Sequence, residues 1–198
     1  MPPPDPAPAL SPASAAPEMS TPCDHIMVFA ETLGAADCQR LIERFEASAE
    51  LEPRQRENGY SFTQLDATKH WPEESEMLLS VFLKYFNVYR REVGARFWPA
   101  NFAFENIRLK RYLPNGRDAF LPHVDVVDQL SARRFMTGMI YLNGPDGGET
   151  VFPDLELSIA PERGKLLAFP PLWMFPHAGL PPRDAPKYVA HTYLCYGA

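Results

Sequence analysis

The feature that most limits what this chain can fold into is a change of period at Phe102. Before it, apolar residues recur every three or four positions. After it, they alternate in runs of about five to ten residues, broken by Pro, Gly and Asp. Residues 34–49 gather Cys38, Leu41, Ile42 and Phe45 on one helical face. Residues 73–94 gather Met77, Leu78, Val81, Phe82, Tyr85, Phe86 and Tyr89 on another. Ile26, Val28 and Phe29 suggest a short strand ahead of both. Downstream, the spacing predicts strands over 102–112, 120–125, 135–143, 150–152, 155–159, 165–169, 173–177 and 187–196. Two helices followed by about eight short strands predict an α+β fold, a jelly-roll-like double sheet with the N-terminal helices packed on one sheet. Residues 50–72, with Pro53, Asn58-Gly59 and Trp71-Pro72, read as one long irregular loop, a kind that often carries function.

The 198 residues suit one domain with one core. Residues 1–22 stand apart: eight prolines among Ala and Ser predict a disordered tail with extended character, leaving 23–198 as the folded domain. A net charge of -6 argues against nucleic acid as a partner. Cys23, Cys38 and Cys195 are odd in number and far apart, so they predict free thiols in a reducing compartment. No apolar run reaches the ~20 residues of a membrane span, and the N-terminus lacks the basic start and apolar stretch of a signal peptide. No membrane partner and a cytoplasmic location are therefore expected.

His123 and Asp125 are two residues apart, and in a strand such residues share a face. Alone they suit a hydrogen-bonded pair at a strand end. His177 follows the apolar run 173–176, and alone it suits a buried histidine bonded to backbone. Together, two imidazoles and one carboxylate make the ligand set that holds non-haem Fe(II) with three positions open. Lys187, ten residues past His177, suits either a solvated strand-edge lysine or an anchor for the far carboxylate of an anionic cosubstrate. Tyr112 ends its strand and can reach the same ligand, and Thr150 can point inward. Gly147-Gly148 reads as a tight turn rather than a phosphate loop, because no helix follows. His25, His70 and His191 have no partner at ligand spacing and read as structural or solvated.

The strings Leu121-Pro122-His123-Val124-Asp125, Met139-Ile140-Tyr141-Leu142-Asn143, Gly147-Gly148-Glu149-Thr150-Val151-Phe152, His177-Ala178-Gly179-Leu180-Pro181 and Lys187-Tyr188, in this order, resemble the Fe(II)/2-oxoglutarate dioxygenases of the prolyl 4-hydroxylase type. The likeness spans roughly residues 24–197. It implies a double-stranded β-helix with Fe(II) held by His123, Asp125 and His177 at its open end. It implies that Lys187 binds the distal carboxylate of 2-oxoglutarate, that Tyr112 and Thr150 assist, and that Arg134 lines the substrate groove. Tyr193 stands where many members have tryptophan, and Ala178 where many have a larger residue, so the pocket has its own shape.

The implied reaction consumes O2, turns 2-oxoglutarate into succinate and CO2, and hydroxylates a substrate, with ascorbate stimulating. The carboxylate of Asp125 predicts hydroxylation, because related halogenases lack it. The leading expectation is hydroxylation of prolyl residues in a peptide or protein. Alternatives are a free amino acid or other small metabolite as substrate, a non-catalytic 2-oxoglutarate and metal sensor, and a cupin-type structural metal protein. The oligomeric state is not legible.

Overall fold

A computed structural model describes residues 19–23 and 25–197 of the chain. In order it contains β1 (Met19–Cys23), β2 (Ile26–Phe29), α1 (Ala35–Glu46), β3 (Glu52–Arg56), β4 (Tyr60–Asp66), α2 (Ala67–His70) and α3 (Pro72–Glu92). There follow β5 (Phe102–Phe104), β6 (Arg108–Tyr112), β7 (Ala119–His123), β8 (Arg134–Tyr141), β9 (Thr150–Phe152), β10 (Leu157–Ile159), β11 (Leu166–Phe169), β12 (His177–Gly179) and β13 (Lys187–Tyr196). The expected tail lies outside the described residues up to position 18. Its last part forms β1, which pairs antiparallel with β2, so the boundary expected after Pro22 falls inside a strand.

The strands hydrogen-bond in the order β1-β2-β11-β8-β13-β6-β4-β7-β12-β9-β10, with β3 on β4 and β5 on β13. All these pairings are antiparallel, and the sheet turns from its larger half to its smaller half where Tyr60 pairs with Phe120. This is the jelly-roll, double-stranded β-helix architecture expected, with thirteen strands in place of about eight.

Period-two alternation separates two cores. On one face of the larger half, Met27, Phe29, Leu109, Met136, Ile140, Leu166, Ala168, Ala190 and Leu194 meet the helices. On the other face, Ile26, Val28, Phe62, Tyr112, Tyr141, Leu167, Phe169 and Val189 line the interior with Phe152 and Ile159 of the smaller half. α1 offers Cys38, Leu41 and Phe45 to the first core, with Asp37 in its first turn and Arg44 in its last, matching the helix dipole. α3 starts at Pro72, whose fixed φ suits a first helical position, and buries Leu78, Phe82, Tyr85, Phe86 and Tyr89. Gly138 of β8 lets α3 approach: a Cβ there would stand 2.7 Å from Phe86 Cζ.

Four expectations change. The region 50–72 is not a loop but the β3–β4 hairpin, turning at Asn58-Gly59, followed by α2. The strand expected over 102–112 is two strands, broken at 105–107. Residues 173–176 form no strand, and Trp173 is 77% exposed; His177 begins a strand rather than ending one. Leu155, the first residue of 155–159, lies in a 3-10 turn, Pro153–Leu155, before β10. Among the described residues no helix is long and apolar enough to cross a membrane.

A candidate iron and 2-oxoglutarate site

β7 and β12 are neighbours, and their register sets His177 directly opposite His123. The imidazole centroids are 4.3 Å apart. β7 ends at His123, so Asp125 reaches the site from a bend beyond the strand, not by strand alternation. Its Oδ1 lies 3.4 Å from His123 Nε2 and its Oδ2 3.6 Å from His177 Nε2. One ligand atom from each of the three falls within 4.8 Å of the others.

The donor set suits a metal. His123 Nδ1 is 2.8 Å from the Leu121 carbonyl, and His177 Nδ1 is 3.1 Å from the Phe175 carbonyl. A carbonyl only accepts, so each Nδ1 carries the hydrogen and donates. Each Nε2 then keeps its lone pair for a metal, the arrangement that outer hydrogen bonds give metal-binding histidines. Phe120 stacks on His123 at 3.8 Å, and Phe169 sets its edge to His177 at 4.8 Å, so the rings are fixed by packing. Burial pushes His177 down to about 4, with the Asp125 charge opposing, which keeps the imidazole neutral at ordinary pH. Burial also works against the charge on Asp125, but the surrounding histidines, His123 first and then His177 and His191, favour the carboxylate whenever they carry a proton and hold the carboxyl well below the usual range.

The three residues open onto a cavity in the barrel interior. Lys187, the first residue of β13, lies in its wall with 2% exposure. It donates to the carbonyls of Gly148 at 2.8 Å and Leu180 at 3.3 Å, with its Nζ 4.5 Å from the Tyr112 ring centroid. Burial lowers Lys187 to about 8, opposed by Glu149. Gly148 has φ 73°, and a Cβ there would stand 3.0 Å from Lys187 Cδ, so a side chain would crowd the lysine. Thr150 Oγ1 and Tyr141 Oη share a hydrogen bond of 2.6 Å in the same wall. The cavity therefore brings His123, Asp125, His177, Lys187, Tyr112, Thr150 and Tyr193 together.

Arg134 lies outside this wall. Its Nε and Nη2 each donate to the Glu105 carboxylate at 2.9 Å, and its Nη1 donates to the Asp125 carbonyl at 3.3 Å. Its guanidinium covers the Tyr193 ring at 4.0 Å. Arg134 thus fastens the bend that carries Asp125 and also borders an outer groove.

Among the polar cavity residues, Lys110, Tyr141 and His191 carry no site role in the sequence analysis. Of the structural and solvated readings of His191, its surroundings fit the first: it is 6% exposed and hydrogen-bonds Thr137. Strand parity carried the signal, since Lys187, Val189 and His191 alternate on one face of β13.

Residues 107–195 match the 2OG-Fe(II) oxygenase superfamily. No curated protein sequence matches the chain. Solved structures that share its fold include three prolyl hydroxylases. The viral collagen prolyl hydroxylase of Paramecium bursaria Chlorella virus-1, in its 2-oxoglutarate complex, aligns with TM-score 0.67 and 23% identity over 88% of this chain and 97% of its own. A Pseudomonas putida prolyl-4-hydroxylase aligns with TM-score 0.68 and 19% identity over 88% and 94%. A Trichoplax adhaerens prolyl hydroxylase, bound to a peptide fragment of the hypoxia-inducible factor oxygen degradation domain, aligns with TM-score 0.60 and 16% identity over 87% and 84%. The segment that matches the 2OG-Fe(II) oxygenase superfamily carries His123, Asp125, His177 and Lys187, and the chain shares its fold with these solved prolyl hydroxylases.

Proposed function

We propose that the chain hydroxylates prolyl residues in a peptide or protein. The observation that carries this reading is the open groove beside the candidate triad. It is walled by Arg56, Glu57, Asn58 and Gly59 of the β3–β4 hairpin on one side and by residues 121–125 on the other. An open groove admits an extended chain. Its outer part carries exposed apolar side chains, Leu121 and Val127, which suit a peptide backbone and its prolyl rings. The three related folds support the substrate class, since all are prolyl hydroxylases by name and one holds a peptide.

In this reading His123, Asp125 and His177 hold Fe(II). When bound, the iron and 2-oxoglutarate supply oxidative hydroxylation: O2 gives one oxygen atom to the carboxylate of succinate and one to the substrate C–H, with release of CO2. Lys187 takes the distal carboxylate, with Tyr112 and the Thr150–Tyr141 pair closing that end. Tyr193 and Arg134 face the substrate where the cavity meets the groove. The aromatic floor of Phe120, Phe152 and Phe169 excludes water from the reacting end. Cys38 and Cys195 are buried free thiols, which fits action in a reducing compartment such as the cytoplasm.

The test is succinate release from 2-oxoglutarate with Fe(II) and ascorbate, with and without a proline-rich peptide, followed by peptide mass spectrometry. Peptide-stimulated succinate with one oxygen atom added at proline is expected. Turnover indifferent to peptide would move the search to free amino acids and small metabolites. No turnover with metal bound would leave a sensor module.

A further inference from the structure

One cation in the cavity has no part in the reading above. Lys110, in β6, lines the cavity beside Asp125 and His191 and is partly exposed onto it. Its Nζ stands 5.2 Å from the Phe62 ring centroid and 5.9 Å from that of Phe120, so its stem runs between aromatic faces. Its one polar contact among the described residues is His191 Nδ1 at 3.4 Å, and no carboxylate lies within 4.0 Å. An ammonium only donates, so Nδ1 accepts. The ring hydrogen then sits on Nε2, which donates to Thr137 Oγ1 at 2.9 Å. This relay holds the lysine head at one edge and leaves two of its three donors for a ligand.

An enclosed ammonium with no carboxylate in contact costs free energy unless a ligand supplies one, and the nearby Asp125 offsets only part of that cost. Here the enclosure is a cavity built for an anion. We propose that Lys110, oriented by His191, is a second carboxylate-binding position of this cavity, distinct from Lys187. The inference rests on the use of 2-oxoglutarate.

Register supports it. Lys187 lies opposite Tyr112 and Val189 opposite Lys110, so the two lysines are offset by two residues on one face. That is about 6–7 Å along the strands, a span comparable to that between the two carboxylates of a five-carbon diacid. Two carboxylates meet this description: the keto-acid end of 2-oxoglutarate, with Lys187 at the other end, or an acid group on the substrate.

Calorimetric titration of Mn(II)-loaded protein separates the two. Where the ligand is the keto-acid end, Lys110→Met is expected to weaken 2-oxoglutarate at least about tenfold, the size of one charge-assisted hydrogen bond. If the keto-acid end is the ligand, 2-oxopentanoate, which lacks the distal carboxylate, weakens by the same factor in Lys110→Met and is unchanged in Lys187→Met. If the acid belongs to the substrate, 2-oxoglutarate binds Lys110→Met normally, and only the preference for N-acetyl-L-proline over its amide disappears. Lys110→Arg should restore most of the lost affinity. Lys110→Gln repeats the measurement should the Met variant lose its cooperative melting transition. Binding of all three acids within twofold of wild type in the Lys110 variants overturns the inference alone. A wild-type protein that binds no 2-oxoglutarate overturns the dioxygenase reading, and this inference with it.

Discussion

The same strands face two very different interiors. On the helix side, β8 and β13 present Met136, Gly138, Ile140, Ala190 and Leu194 to the apolar core under the helices. On the barrel side, one residue along, the same strands present Thr137, Met139, Tyr141, Lys187 and His191 to the cavity. The first face is dry and closely packed, and it holds the domain together. The second buries lysines and histidines whose charge burial disfavours, and it is kept for ligands. Stability and chemistry are divided between odd and even positions, so neighbouring substitutions should have unlike effects.

The sharpest way to break this division pairs Phe86→Ala with His177→Ala. Phe86 is 1% exposed in the helix-side core. Its loss should cost about 3–5 kcal/mol in urea unfolding, an ordinary price for a deleted core aromatic. His177→Ala should lower turnover by more than about 100-fold, since even outer partners of metal ligands are worth 10–100-fold. Its melting temperature without metal should stay near wild type. A His177→Ala protein that unfolds as Phe86→Ala does would erase the division.

Next in size is Lys187→Ala, which should weaken 2-oxoglutarate by about 10- to 100-fold through loss of a contact worth ~1.5–3 kcal/mol. Equilibrium titration checks it; an unchanged affinity would move the anchor elsewhere. Gly148→Ala should combine both kinds of effect. Its φ of 73° disfavours a side chain by about 1–2 kcal/mol, and its Cβ crowds Lys187. Melting temperature and 2-oxoglutarate affinity should fall together; a fall in only one would show that turn and lysine are independent.

The pH effects are smaller. Lys187 and Lys110 both sit at about 8, and the protonated form binds an anion, so 2-oxoglutarate affinity should decline as pH rises through 8. Titrations at several pH values would show the decline, and flat affinity to pH 9 would contradict it. His177 is held at about 4 against 6.5 for the exposed group, so between those values the unfolded chain binds more protons than the folded one. Metal-free stability should therefore fall as pH drops from about 6.5 to 4, read by melting temperature.

Much of the fold was legible because one face of most elements is buried. The 3–4 spacing in α1 and α3 and the alternation in β8 and β13 follow from burial against the helix-side core. The β3–β4 hairpin escaped because all five residues of β3 are exposed, so neither face carries an apolar rhythm. Only Asn58-Gly59 announced it, and Asn58 does adopt positive φ. Trp173 and Met174 misled in the opposite way: they are apolar but lie at the surface. The candidate triad was legible from residue type and order, although Asp125 arrives by a bend. Lys110 was hidden inside Arg108-Leu109-Lys110-Arg111, where three of the four side chains are cationic. Parity sends Arg111 outward to Glu46 and Lys110 inward. A lysine between two arginines gives no local sign of which way the strand will turn it.

The pairing of His123 with His177 across β7 and β12 has a mechanical consequence. A metal held by both rings would act as a clasp between strands joined by residues 124–176, closing a long loop in the manner of a cross-link. Because the unfolded chain lacks the assembled clasp, metal bound there would be returned as resistance to opening of the smaller half-sheet. Backbone amides of β7 and β12 should then exchange with solvent more slowly when metal is present, while those of β8 and β13, already held by the helix-side core, should hardly change.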